Sequence, residues 1–261
     1  MLRNGLALLL IILVVAFPIR LYLALSAAMV SRDGVTFMWY ARGLAGEPIA
    51  EMRRQAQHPL YPAMILGMHS ALQGAGGVLR PLSSAVGAVL DDPVQSWTLA
   101  GMTVTLLGGL GVVLAVCALA ALLFDLRVGL IAAVLAALAA EFCQLSADAL
   151  TDMPHLTLYL FGLCAAIRGL TGRKVFSRAA EMRVCEPGRP AAWLFLSGVL
   201  SGLAFLMRPE GAGVAVAAVA GTMALAKGWR WPRRLAGAMA VMVGAGLVAS
   251  PYMLITGKLV Q

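Results

Sequence analysis

Charge is scarce in this 261-residue sequence: 12% of its residues are charged, where a soluble domain carries about 25%. Acidic residues are the fewest, 12 against 20 lysines and arginines. The cysteines, Cys117, Cys143, Cys164 and Cys185, show no CxxC or metal-ligand spacing. Cys117, Cys143 and Cys164 lie in apolar runs, where cysteine acts as a small hydrophobe. That spacing argues against both a disulfide framework and a zinc site. Alternation of polar and apolar residues is missing, which argues against a β-barrel. No glycine-rich phosphate loop of Walker or dinucleotide type occurs, so no nucleotide is implied. Internal repeats and low-complexity tails are also missing.

What is present is apolar sequence. Hydrophobic residues make up 61% of the chain, in runs that approach or exceed the roughly 18 residues of a membrane span. The fold class expected is all-α, a polytopic transmembrane helical bundle with about seven spans, near 5–28, 97–121, 127–146, 153–170, 191–208, 211–227 and 235–255. The first run is longer than the roughly 7–15-residue core of a signal peptide, and Pro18 and Arg20 interrupt it, so it reads as a span. The net charge of +8 follows from basic loops rather than from a nucleic-acid surface. Arg173, Lys174, Arg178, Arg183 and Arg189 fall in one loop, and Lys227, Arg230, Arg233 and Arg234 in another. Counting from a cytoplasmic N-terminus puts both inside, as the positive-inside rule expects. Most acids then fall outside, among them Asp33, Glu47, Glu51, Asp91, Asp92, Asp148, Asp152 and Glu210.

The external segment 31–96 is too long for a simple turn. "HPLYPAMILGMHSAL" from residue 58 is too short to span and fits an interfacial helix, and residues 73–89 hold a second short helix or loop. Three polar groups converge on this face. One is Ser31-Arg32-Asp33, followed by Trp39, Tyr40 and Arg42. Another is Asp148, Asp152 and His155. The last is "RPEG", with Arg208 and Glu210 at the end of the fifth run. Ionisable groups at membrane depth are costly and default to a functional hypothesis. Each also has a structural reading. Asp33 reads as the N-cap of a helix starting at Gly34, and Asp152 as the cap of one starting at Met153. Glu47 and Glu51 read as solvated carboxylates, Arg208 as a snorkelling span end, and Trp39 and Tyr40 as interfacial belt residues. His58, between Gln57 and Pro59, reads equally as part of a fixed turn. Arg20, inside the first span, faces the bundle or snorkels, with Glu141 as a candidate partner.

The order of these pieces resembles the GT-C fold of lipid-linked glycosyltransferases, specifically the bacterial branch related to protein O-mannosyltransferases and aminoarabinose transferases. The matching positions are Asp33 after the first span, Tyr40 two turns on, His58-Pro59-Leu60-Tyr61-Pro62, Asp152 with Pro154, and Arg208-Pro209-Glu210-Gly211. The resemblance covers roughly residues 5–255 and departs from the family pattern in three respects. Gly34 stands where many relatives have a second acid, and His58 where many carry lysine. The chain also ends soon after the seventh run, where full-length members usually continue. It is therefore expected to be a single GT-C module over 1–261 whose C-terminal counterpart is absent or encoded separately.

The resemblance implies inverting transfer of a sugar from a polyprenyl-phosphate donor to an acceptor lipid, glycan or protein at the external face of the inner membrane. Asp33 would be the general base. Arg208, with His58 or Arg42, would hold the donor phosphate as its charge grows. Tyr40, Asp152 and Glu210 would contact substrate. No cofactor is assigned. Asp33, Asp148 and Asp152 lack chelating spacing, although the oligosaccharyltransferase branch leaves a divalent metal open. Two rival readings are a transporter, which would place charges such as Arg20 and Glu141 at broken helices in the midplane, and a non-catalytic membrane scaffold.

Overall fold

The computed structural model describes residues 2–26, 30–78, 83–171, 189–226 and 228–257. Arg173, Lys174, Arg178, Arg183, Cys185, Lys227 and Gln261 lie outside the described residues. The described residues form helices and no strand. The chain opens with α1 (Leu2–Leu10), a π-helical stretch (Ile11–Ala16) and α2 (Phe17–Ser26), continuous in direction. Phe17 N–H bonds Ile12 O in the π register. The shift falls next to Pro18, whose missing N–H disturbs the α register there.

Three short helices follow: α3 (Arg32–Gly46), α4 (Pro48–Arg54) and α5 (Leu60–Gly74). Then come α6 (Ser84–Asp91) and the long α7 (Pro93–Leu123), capped by Asp92, whose carboxylate accepts from Val94 N and Gln95 N. The rest of the bundle is α8 (Leu126–Leu138), α9 (Ala140–Leu145), α10 (Asp152–Thr171), α11 (Arg189–Phe205), a 3-10 turn (Pro209–Gly211), α12 (Ala212–Leu225) and α13 (Trp231–Thr256). Four stretches are long and apolar enough to cross a membrane: Gly5–Ser26, Pro93–Leu123, Asp152–Thr171 and Trp231–Thr256. Leu126–Leu138, Pro190–Phe205 and Pro209–Leu225 are shorter apolar helices. Large apolar side chains such as Val14, Leu25, Leu247 and Leu254 point outward, as lipid-facing positions do.

The third expected span is not one helix. Ala139 is extended (φ −61°, ψ 117°) and separates α8 from α9. Alanine is the best helix former, so local propensity does not cause the break. The tertiary partner is Arg20, which is fully buried. Its guanidinium donates to Ala137 O (3.0 Å), Ala136 O (3.1 Å) and Ala16 O (3.2 Å), and its Nε to Ser146 Oγ (3.3 Å). It satisfies carbonyls that the broken helix end leaves without an intrahelical donor. Glu141 is exposed and is not among these partners, which corrects its pairing with Arg20.

Close packing on one side comes from glycine. A Cβ at Gly198 in α11 would collide with Val241 O of α13, and one at Gly244 would collide with Phe195 O of α11. Without those atoms the two backbones meet directly, as in membrane helix pairs built on small residues. On the other side, Ala41, Tyr61, Ile65, Ala100 and Val104 form a core that fixes α3 and α5 against α7. Tyr61 is fully buried and its hydroxyl bonds Thr105 Oγ1 at 2.7 Å.

Candidate functional site

The segment 146–151, between α9 and α10, organises the site. Thr105 Oγ1 donates to Leu150 O (3.1 Å), which ties the segment to α7. Asp148 Oδ1 accepts from Ala149 N (2.7 Å) and from Ser31 N (3.1 Å), which ties it to the start of α3. Ser31 is the N-cap of α3, its Oγ accepting from Gly34 N at 3.1 Å. The helix therefore starts at Arg32, two residues earlier than an Asp33 cap implies, and Asp33 is an exposed carboxylate in its first turn. That position suits a negative charge, since unpaired N–H groups point towards it. Gly34 is buried, and a Cβ there would meet Ala149 O at 3.0 Å and crowd Val30. A second acid at this position has no room.

Arg208 and Asp152 form the centre. Arg208 Nη1 lies 2.9 Å from Asp152 Oδ1, and Nη2 donates to Oδ2 at 3.0 Å. Its Nε donates to Thr151 Oγ1 at 2.7 Å. This two-point arrangement holds the guanidinium plane in a defined orientation. Asp152 is thus the partner of Arg208 rather than a helix cap, and Arg208 is not a free snorkelling group. The Arg208 side chain remains 41% exposed.

A cavity of about 320 Å³ opens beside it, lined by Phe37, Gln57, His58, Thr151, Met207 and Arg208 among others. His58 is buried, yet neither ring nitrogen has a hydrogen-bond partner. Its ring packs against Phe205 (centroids 5.1 Å) and Tyr252 (5.4 Å). Burial holds the imidazole below its ordinary pKa, against an opposing pull from Glu210, so it is neutral at pH 7. A buried polar group without a partner marks a place where a ligand or water belongs. Phe37 lies four residues after Asp33, on the same face of α3, whereas Asp33 itself is not among the residues that line this cavity. A second, apolar groove of about 410 Å³ runs between α5, α7, α10 and α11, lined by Leu60, Met64, Val104, Leu107 and Leu158. Met207 lines both spaces.

The remaining sequence-predicted residues fall elsewhere. Tyr40 is fully buried, its hydroxyl has no partner, and it does not line the Arg208 cavity. Burial, with Tyr252 and Glu51 nearby, pushes its phenol well above the ordinary range. Glu51 is also buried rather than solvated. It pairs with Arg54 at 3.1 Å and packs against Gly43. Glu47 and Glu210 are exposed. Arg42 is exposed and lies over the Trp39 ring at 5.3 Å, lining a different groove from Arg208. Thr151 and Asp148 are the members that sequence reasoning left without a role. The "SADALTDMP" run contains both, and only the tertiary bonds distinguish them. Among the described residues no three His, Cys, Asp or Glu side chains come together as metal ligands.

The family model for dolichyl-phosphate-mannose-protein mannosyltransferases matches residues 10–255. The chain belongs to that family. It is therefore a membrane glycosyltransferase of the GT-C class, using a polyprenyl-phosphate sugar as donor. No curated protein and no solved structure matches it. The mannosyltransferase match includes every residue that lines the Arg208 cavity, from Phe37 to Pro209.

Proposed function

We propose that this chain transfers mannose from a polyprenyl-phosphate donor to a protein hydroxyl, with inversion, at the external face of a bacterial inner membrane. The N-terminus is then cytoplasmic. The observation that carries this reading is the Arg208 guanidinium, fixed by Asp152 and Thr151 at a cavity whose other polar wall is an unpartnered His58. The donor phosphate occupies that cavity between Arg208 and His58. Its isoprenoid chain follows the adjoining apolar groove past Met207. The acceptor oxygen attacks the anomeric carbon from the side opposite the phosphate, and the carbon–oxygen bond to phosphate breaks. The bonding pair leaves with the polyprenyl phosphate, whose growing charge Arg208 stabilises. The hydroxyl proton passes to the Asp33 carboxylate. Asp152 and Thr151 orient Arg208, and the exposed Glu210 contacts substrate.

The test is transfer from radiolabelled polyprenyl-phosphate mannose in membranes carrying wild-type chain or Asp33→Asn at equal abundance. Asn keeps the size of Asp but accepts no proton, so a loss of about 10²–10⁴-fold is expected. Equal transfer by both proteins would remove Asp33 as the base.

One observation bears on the transporter reading. The α8–α9 break with buried Arg20 is the arrangement that reading calls for. However, the Arg20 donors are already committed to three carbonyls and a hydroxyl, and the cavity opens at Arg208. The transferase reading uses the open site.

A further inference from the structure

A third space, of about 430 Å³, lies on the far side of α3, between that helix and the first turns of α7. Its walls include Val35, Met38, Trp39, Arg42, Val94 and Trp97. At 100° per residue, Arg42 projects roughly 140° around α3 from Phe37, the residue that faces the Arg208 cavity. The helix itself thus separates the two spaces.

The walls are apolar and open. Trp39 is 65% exposed and Val94 70%. Trp97 is held upright by His69, which stacks on it with ring centroids 3.9 Å apart and planes within 4°. Ser96 Oγ lies 3.4 Å from His69 Nε2 and steadies that ring. Burial and the nearby Arg42 hold His69 below its ordinary pKa, so the wall behind Trp97 is neutral. Arg42 is the cation at this groove, and among the described residues no carboxylate pairs with it. Its guanidinium lies over the Trp39 ring, an arrangement that leaves its N–H edges free for oxygen acceptors.

Depth fixes what can reach this groove. The 31 residues of α7 make a rod of about 46 Å, longer than the roughly 30 Å hydrocarbon core. Its first turns, capped by Asp92 and carrying Gln95, Ser96 and Trp97, are the polar end of that rod, of the kind that sits at the headgroups. Val94 and Trp97 are in the first two turns, whereas Gly101–Thr105, which pack against the 149–150 segment, lie further in. The groove is an apolar trough at headgroup level with one unpaired cation.

We infer that this groove binds an anionic phospholipid of the surrounding bilayer, its phosphate on Arg42 and its acyl chain along Trp39, Val94 and Trp97. With the donor phosphate at Arg208, as proposed above, the donor is not its occupant, because the groove and the Arg208 cavity lie on different faces of α3. The inference does not depend on Asp33 being the catalytic base.

The experiment is native mass spectrometry of the full chain after exchange into mixed phosphatidylcholine and phosphatidylglycerol nanodiscs. Wild type is expected to retain phosphatidylglycerol with about fivefold preference, the contribution of one basic residue at an anionic membrane surface. Arg42→Gln is expected to lose that preference while Arg208→Gln keeps it. Tryptophan quenching by brominated phosphatidylglycerol supplies a second readout. It should exceed quenching by brominated phosphatidylcholine in wild type, and the difference should vanish in Arg42→Gln. Equal retention of both lipids by wild type would overturn the inference. So would loss of the preference in Arg208→Gln but not in Arg42→Gln, since the anionic lipid would then occupy the Arg208 cavity. Displacement of the Arg42-dependent lipid by an equimolar polyprenyl phosphate would overturn it too, by making the groove the donor's.

Discussion

Arg20 and Arg208 are both guanidinium groups held where a helix is interrupted, but their partners differ in kind. Arg20 is fully buried and its bonds go to neutral acceptors, three backbone carbonyls and a serine hydroxyl. Arg208 is 41% exposed, held from one side by Asp152 and Thr151, and turned towards a cavity on the other. A cation saturated by backbone closes a gap in the architecture. A cation oriented by a carboxylate, with open space beside it, is poised for an anion that is not part of the chain. The two arginines also bond to one segment. Ser146, bonded to Arg20, begins the segment whose Asp148 and Leu150 anchor α3 and α7 and whose Thr151 holds Arg208.

The largest effect expected from this contrast is on Arg208. Arg208→Gln should lower transfer by about 10²–10³-fold, the loss typical of removing one group that stabilises developing charge. Melting temperature should shift little, because a partly exposed ion pair contributes about 0–1 kcal/mol. Arg20→Leu should do the reverse at the level of the fold. It strips the donor from two carbonyls at the α8 end, at about 1–3 kcal/mol for each group left unsatisfied. Thermal unfolding in detergent should show the drop, and Arg20→Lys should recover only part of it, because one ammonium cannot reproduce the guanidinium fork. Equal melting temperatures for Arg20→Leu and Arg208→Gln would end the distinction between them.

Asp152→Asn is the intermediate case. It keeps a hydrogen-bond acceptor for Arg208 but removes the charge and one half of the two-point contact. A loss of transfer of about tenfold is expected, smaller than for Arg208→Gln, and the double variant should be no worse than Arg208→Gln alone. The smallest effect concerns pH. The folded pKa of His58 is depressed, so the folded state takes up fewer protons than the unfolded chain. Stability should therefore decline as pH falls below the ordinary histidine pKa, about 6.5, and level off below the depressed value. His58→Gln should flatten that decline, measured as melting temperature between pH 7 and pH 5.

The apolar helices were legible because hydrophobic runs dominate this chain, and the short helix at Leu60–Gly74 was legible from its mixed polarity. His58, Asp152 and Arg208 are each visible as polar residues bordering apolar stretches, but their meeting at one place follows from tertiary contacts. Other features were hidden by distance in the sequence. Nothing in "VLAALAAEFCQL" signals a break at Ala139, because its cause is Arg20, 116 and 117 residues away from the carbonyls it binds. The N-cap of α3 is ambiguous in the sequence because Ser31 and Asp33 are both good caps, and contact with Asp148 and Ala149 decides between them. Glu51 reads as a loop carboxylate until the space left by Gly43 is seen. Tyr40 lies near Asp33 in sequence, yet the phase of α3 turns it into the packed interior.

The glycine contact between α11 and α13 has a mechanical consequence. With Gly198 against Val241 O and Gly244 against Phe195 O, neither helix can rotate or slide without driving backbone into backbone. Arg208, just beyond the end of α11, is thus bolted to a stiff plate. The opposite wall, residues 56–58 with Phe37, belongs to the α3–α5 side and is pinned to that plate at the Leu60–Leu206 bond. The His58 ring adds a second tie, since it packs on Phe205 of α11 and Tyr252 of α13, so both walls of the cavity are referred to the same glycine-packed pair.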